Sequence, residues 1–157
     1  MKRRFGYVVH YPGYRDFIRS VESWPLARPL LERLEPAWLK RIIISLPARK
    51  WFSIDSVESQ SGAVAEGIVV LCSFIPEQIA TEGEAVIIRK VLQAIRTAAN
   101  AGAQLVGLAG FASIVGDGAL ELEGHAAVPV TSGNTYTAGL VIEGIRKAAG
   151  HLRKDLK

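Results

Sequence analysis

Apolar residues recur along this chain with two different periods, and the alternation between them predicts an α/β fold. Residues 5–10 are rich in β-formers and end at Tyr11-Pro12-Gly13, a turn signal, so they read as a strand. Residues 14–34 change to helical spacing, with Phe17, Ile18 and Val21 followed by Leu26, Leu30, Leu31 and Leu34. Pro25 and Pro29 divide that stretch into short pieces. Residues 36–44 fit a short helix or a strand equally well. Residues 53–59 and 63–74 then read as two strands around Gln60-Ser61-Gly62. The second contains Ile68-Val69-Val70-Leu71, an uninterrupted apolar run of the kind buried on both faces of a sheet.

Residues 84–101 carry a 3.6-residue stripe of Ile88, Val91, Leu92, Ile95 and Ala99, closed by Asn100 and Gly102. Residues 105–108 form a further short strand, in which Gly107, with Gly110 beyond it, permits close backbone approach. Residues 111–118 read as a loop or short turn, and residues 119–129 as room for one more strand. A last helix starts near Asn134 or Thr135, its apolar face formed by Ala138, Val141, Ile142, Ile145, Ala149 and Leu152. The expected architecture is an α/β sandwich with a mixed, mostly parallel sheet. Residues 69–74 and 105–108 should be inner strands, with the helices from Glu84 and Thr135 packed on the sheet. Trp24, Trp38 and Trp51 are expected to add bulk to the core.

Composition narrows the class. The 157 residues are 49% hydrophobic, which suits a folded domain and excludes a disordered chain. Charged residues or glycines interrupt every apolar run short of a membrane span, and residues 5–10 are too short for a signal-peptide core. A cytoplasmic setting is expected. One cysteine, Cys72, excludes an internal disulfide framework. The formal net charge of +4 gathers near both termini and around Lys40, Arg41, Arg49 and Lys50. No nucleic-acid motif accompanies it, so an acidic protein partner or an anionic cofactor is the better match.

Chemistry concentrates in Val130-Thr131-Ser132-Gly133-Asn134-Thr135-Tyr136-Thr137, where hydroxyls and an amide lead into the last helix. A helix N-terminus offers unpaired N–H groups and a partial positive charge to polar or anionic ligands. Ordinary capping explains the same residues, because Ser, Thr and Asn are preferred at the N-cap. Cys72 lies in an apolar strand with no evident positive neighbour and reads as a buried, inert thiol. His10 ends a strand and could bond a ligand, although a structural role accounts for it as well. Glu77, after Pro76, suits a helix-start carboxylate. His10, His125 and His151 have no metal-ligand spacing, and no catalytic triad or carboxylate pair is recognisable.

Several segments, taken in order, resemble one family. Phe5-Gly6 with His10 opens the series. Phe74-Ile75-Pro76-Glu77 follows, then Arg89-Lys90-Val91-Leu92, Leu108-Ala109-Gly110-Phe111-Ala112-Ser113-Ile114, and Thr131-Ser132-Gly133-Asn134-Thr135-Tyr136-Thr137-Ala138. They are similar to motifs of the long-chain acyl-(acyl-carrier-protein) reductases and the related predicted amino-acid dehydrogenases. Tyr136 stands where that family has His, Ala109 and Ala112 replace Gly and Ser, and Cys72 lies one place before the family's cysteine.

The resemblance implies a three-layer sandwich like the N-terminal domain of amino-acid-dehydrogenase-like enzymes. Residues 1–157 would be one substrate-binding domain, with a dinucleotide-binding domain expected after residue 157. It implies an NAD(P)-dependent oxidoreductase whose NAD or NADP binds outside this chain, leaving the chain alone inactive. In such an enzyme Phe111, Ser113, Thr131, Ser132, Gly133, Asn134, Thr135 and Thr137, with Glu77 and His10, would hold an acyl or small-molecule substrate. An acidic acyl carrier protein would be a partner for the basic patches. A shikimate-type or amino-acid dehydrogenase domain and a non-catalytic small-anion-binding module are the alternatives.

Overall fold

The computed structural model describes residues 3–21 and 27–152. Strand β1 (Arg3–His10) is followed by helices α1 (Tyr14–Ser20), α2 (Ala27–Glu32) and α3 (Pro36–Ser45). Strands β2 (Arg49–Glu58) and β3 (Val64–Cys72) lead to α4 (Glu77–Glu82), α5 (Glu84–Asn100) and β4 (Leu105–Leu108). A 3-10 turn (Gly110–Ser113) and the one-turn segments α6 (Val115–Gly118) and α7 (Leu120–Glu123) precede β5 (Val130–Thr131) and α8 (Asn134–His151). The sheet order is β2-β3-β1-β4-β5. β1 runs parallel to β3 and β4, and β4 parallel to β5, whereas β2 joins β3 as an antiparallel hairpin. The fold is therefore the expected α/β sandwich with a mixed, mostly parallel sheet, and β3 and β4 are inner strands.

The hairpin closes as its sequence predicts. The Ser59 N–H donates to Ala63 O at 2.9 Å, and Gly62 takes φ +78°, a conformation costly for any residue with a Cβ. Residues 36–44 resolve to a helix, with Pro36 in the first turn, where its fixed φ is already helical and its missing N–H costs nothing.

Two clusters bury the sheet. On one face Val8, Ile68, Val70, Cys72, Val106 and Leu108 meet Ile87, Val91, Ala94, Ile95 and Ala98 of α5. The stripe read from sequence is rotated slightly toward Ile87, Ala94 and Ala98, leaving Ile88, Leu92 and Ala99 half-buried on its flank. The small residues explain the rotation. A Cβ added to Gly6 of β1 would lie 2.8 Å from Ala98 Cβ and 2.9 Å from Val106 Cγ2, so helix and sheet touch where side chains are smallest. On the other face Tyr11, Phe17, Ile18, Leu39, Ile43, Leu71 and Ile75 pack beneath α1 and α3.

Three expectations are corrected. Trp38 and Trp51 are more than half exposed, and Trp24 lies outside the described residues. Residues 119–129 hold the helical turn α7 and no strand. Leu122 is buried and Leu120 exposed, so a two-step alternation arises from one turn entered through Gly118 and Ala119, both at positive φ. Finally, α8 does not lie packed on the sheet: Ala149 is its one buried residue, and the apolar face from Val141 to Ile145 is about half exposed.

Candidate functional site: the carboxyl edge of the sheet

Because β1, β3, β4 and β5 are parallel, the segments that follow them leave from one edge of the sheet. Ligands of α/β folds bind at that edge, where turns present backbone groups between layers. Both polar segments singled out in the sequence begin there.

His10, the last residue of β1, ties this edge together. Its Nδ1 lies 2.9 Å from Tyr11 O, which can only accept, so Nδ1 carries the hydrogen. Nε2 is then bare and accepts the Phe111 N–H at 3.0 Å. The ring stacks on Phe74 at 4.8 Å and meets Phe111 edge-on at 5.9 Å. Gly110 sits at φ +55°, and a Cβ there would come 2.9 Å from His10 Nε2, so this position needs glycine for conformation and for space. Desolvation by burial lowers the His10 pKa from its ordinary 6.5, against a smaller opposing effect of the bond to Tyr11. His10 is thus a neutral clamp with both ring nitrogens occupied.

The other expected site residues divide between those already bonded within the fold and those open to solvent. Ser113 Oγ donates to Gly110 O at 2.7 Å and is buried, while the Phe111 ring is exposed. Thr131 Oγ1 accepts the Gly133 N–H at 3.2 Å, and Thr137 Oγ1 donates to Gly133 O at 3.1 Å. Gly133 takes φ +72° and occupies the N-cap of α8, which has no side-chain cap bond. Ser132 is half-buried, and Asn134 and Thr135 are exposed. Thr131 and Ser132 line a shallow recess of about 220 Å³ with Ala119 and Glu123, beside α6 and α7. Glu77 opens α4 and pairs with Lys40 of α3.

Sequence reasoning passed over the neighbour of Glu77. Gln78 is fully buried; its Oε1 accepts the Ile75 N–H at 3.1 Å and its Nε2 donates to Lys40 O at 3.0 Å. It fastens α3 to the end of β3, and nothing in the local pattern distinguishes it from a surface glutamine. Cys72 is buried as expected. Desolvation pushes its thiol up to about 12, against a smaller lowering by Lys90, the positive neighbour that the sequence did not reveal. Desolvation also lowers the Lys90 pKa, and its ammonium donates to Leu46 O at 2.7 Å. Among the described residues no group of His, Cys, Asp and Glu could hold a metal ion, and no helix is long and apolar enough to cross a membrane.

No protein-family model matches the chain. Among curated proteins, the Aminotransferase PigE of Serratia sp. (strain ATCC 39006) is 35% identical over 134 residues. That match covers 85% of this chain and 16% of the relative, so the chain spans less than a fifth of the protein it resembles.

This finding corrects the expected family. The relative is an aminotransferase, and neither the acyl-(acyl-carrier-protein) reductases nor the amino-acid dehydrogenases are supported. The NAD(P)-dependent oxidoreductase reading, with its dehydrogenase-domain and anion-module alternatives, is withdrawn. NAD or NADP, the downstream dinucleotide-binding domain and the acyl carrier protein rested on that resemblance. The structure supplies a physical reason for the error. The glycines that anchored two of the motifs, Gly110 and Gly133, both sit at positive φ in tight turns. Gly, Ser, Thr and Asn gather at such turns in unrelated proteins because the backbone requires them.

Proposed function

We infer that this chain serves as an accessory domain of a larger aminotransferase-like protein, docked to the rest of that protein through α8 and supplying no reacting group. The observation that carries the reading is the bare stripe of α8, with Val141, Ile142 and Ile145 exposed along one face of an 18-residue helix and Leu152 exposed at its C-cap. An apolar helix face of this length is normally covered. Most of the relative's length lies outside the match, which supplies the mass to cover it. The start of α8 adjoins the carboxyl edge, so a partner seated on the stripe closes toward Ser132, Asn134 and Thr135.

Amino transfer by pyridoxal phosphate needs a lysine amine free to form a Schiff base. The described lysines do not fit that role. Lys40 pairs with Glu77, Lys147 with Glu143, Lys90 is bonded to Leu46 O, and Lys50 lies on an exposed strand. The transfer chemistry is therefore assigned to the partner. The test is to mix the chain with the Serratia aminotransferase from which the matched segment has been deleted, and to measure association by calorimetry. Wild-type chain should bind, and Val141→Asp with Ile145→Asp should not. Equal binding by both, or amino transfer from an amino acid to a keto acid by the 157-residue chain alone, would overturn the reading.

A further inference from the structure

The second uncovered surface is the free edge of β2, on the opposite side of the sheet from β5. Among the described residues β2 pairs with β3 alone, so its other edge presents a row of backbone N–H and C=O groups. The strand is ten residues long, Arg49-Lys50-Trp51-Phe52-Ser53-Ile54-Asp55-Ser56-Val57-Glu58, and it contains no proline or glycine. Trp51, Phe52 and Val57 are each about half exposed. Trp51 and Phe52 meet edge-on at 5.2 Å, which gives the edge a rigid aromatic corner. Proteins usually defend such an edge with proline, short strands or bulges. Here irregularities between Lys50 and Phe52 and between Ile54 and Val57 leave a regular segment, Phe52 to Ile54, between them.

The distribution of charge along the strand identifies what fits. Its beginning is basic, with Arg49 and Lys50, and its end is acidic, with Asp55 and Glu58. A strand laid antiparallel to a copy of itself brings the basic end of each against the acidic end of the other. A two-fold axis perpendicular to the sheet keeps each residue on the same face in both copies. In the register that β2 keeps with β3, Ile54 lies opposite Gly67, Lys50 opposite Val70 and Glu58 opposite Val64, so Lys50 and Glu58 stand at equal steps on either side of Ile54 and on one face. Phe52, opposite Val69, and Val57, opposite Ala65, are likewise symmetric about it, so the pairing centred on Ile54 sets Lys50 against Glu58 and Phe52 against Val57. Both are favourable cross-strand combinations, and each occurs twice in the symmetric pair.

We propose that the β2 edge is a self-association surface, through which two copies of this chain join their sheets into one continuous antiparallel sheet. The surface is distinct from α8 and does not depend on the docking reading above. The experiment is sedimentation equilibrium of the whole chain carrying Val141→Asp and Ile145→Asp, so that association through α8 is absent. The chain should form a dimer. Lys50→Glu and Glu58→Lys alone each set like charges together and should weaken the dimer about tenfold. The double exchange, Lys50→Glu with Glu58→Lys, restores opposite charges and should recover the dimer. A monomer at every concentration would overturn the proposal. So would single variants that dimerise as well as the parent, or a double variant as weak as either single one.

Discussion

Helices α5 and α8 have 17 and 18 residues, and both carry apolar residues at helical spacing. One is the centre of the main core and the other is bare. Ile87, Val91, Ala94, Ile95 and Ala98 of α5 are fully buried against the sheet, whereas of the matching stripe on α8 Ala149 alone is buried. The difference lies in what each helix finds opposite it. α5 meets β1 at Gly6 and at the small faces of Ala94 and Ala98, so it can approach closely enough to exclude water. α8 leaves the two-residue strand β5 at the sheet margin and finds no comparable surface among the described residues. Periodicity reports that a helix has an apolar face; it does not report which surface covers that face.

The largest expected effect tests this contrast directly. Ile95→Ala empties a filled site and should cost about 2–5 kcal/mol of stability. Ile145→Ala removes the same atoms from a solvated face and should stay within about 0.5 kcal/mol in the isolated chain. Urea melts of the two variants check this. Similar losses would mean that α8 is packed in solution, and the contrast between the helices would fail.

Close approach itself is the next target. Gly6→Ala introduces a Cβ within 3 Å of both Ala98 and Val106, with no flexible side-chain end to give way. Forced repacking of this kind should destabilise by about 1–3 kcal/mol. A chain that tolerates the change without loss would show that α5 can stand off from the sheet, and the argument for its buried stripe would weaken.

The same comparison sorts what could be read from the sequence. The helix of α5, the buried run Ile68-Val69-Val70-Leu71 and the hairpin turn at Gly62 were legible because each depends on local pattern and one dominant burial direction. The two tryptophans were not, because large apolar residues at a strand edge or on a short helix look like core until their neighbours are known. At the candidate site, strand order places His10, Phe111 and Ser113 at one edge of the sheet. What they do there was hidden, since bonds such as Phe111 N–H to His10 Nε2 join residues 101 positions apart. Glu77 and Gln78 show the limit at adjacent positions. Glu77 forms an exposed ion pair, so Glu77→Gln should change stability by less than about 1 kcal/mol. Gln78→Ala orphans the Ile75 N–H and removes the tie to the Lys40 carbonyl, and should cost about 1–3 kcal/mol. Equal effects in thermal melts would undo that assignment.

The smallest expected effect concerns pH, and it separates the clamped edge from the solvated helix. Burial lowers the pKa of His10 in the folded protein below the ordinary 6.5 that it regains on unfolding. As the pH falls through 6.5, the unfolded chain therefore takes up a proton that the folded chain resists, and unfolding gains free energy. The stabilising contribution of neutral His10 is complete above that pH. It declines below it until the folded imidazole also titrates. Protonation there places a hydrogen on Nε2 and removes the acceptor of the Phe111 N–H. His10→Gln keeps an acceptor of similar reach that does not titrate, so its stability should fall less steeply between pH 7.5 and 5.5 than that of the parent. The slopes are measured by urea melts across that range, with amide exchange at Phe111 followed in parallel. Identical slopes would remove His10 from the account of this edge. A shallower slope with unchanged exchange at Phe111 would place the proton's effect elsewhere than in the clamp.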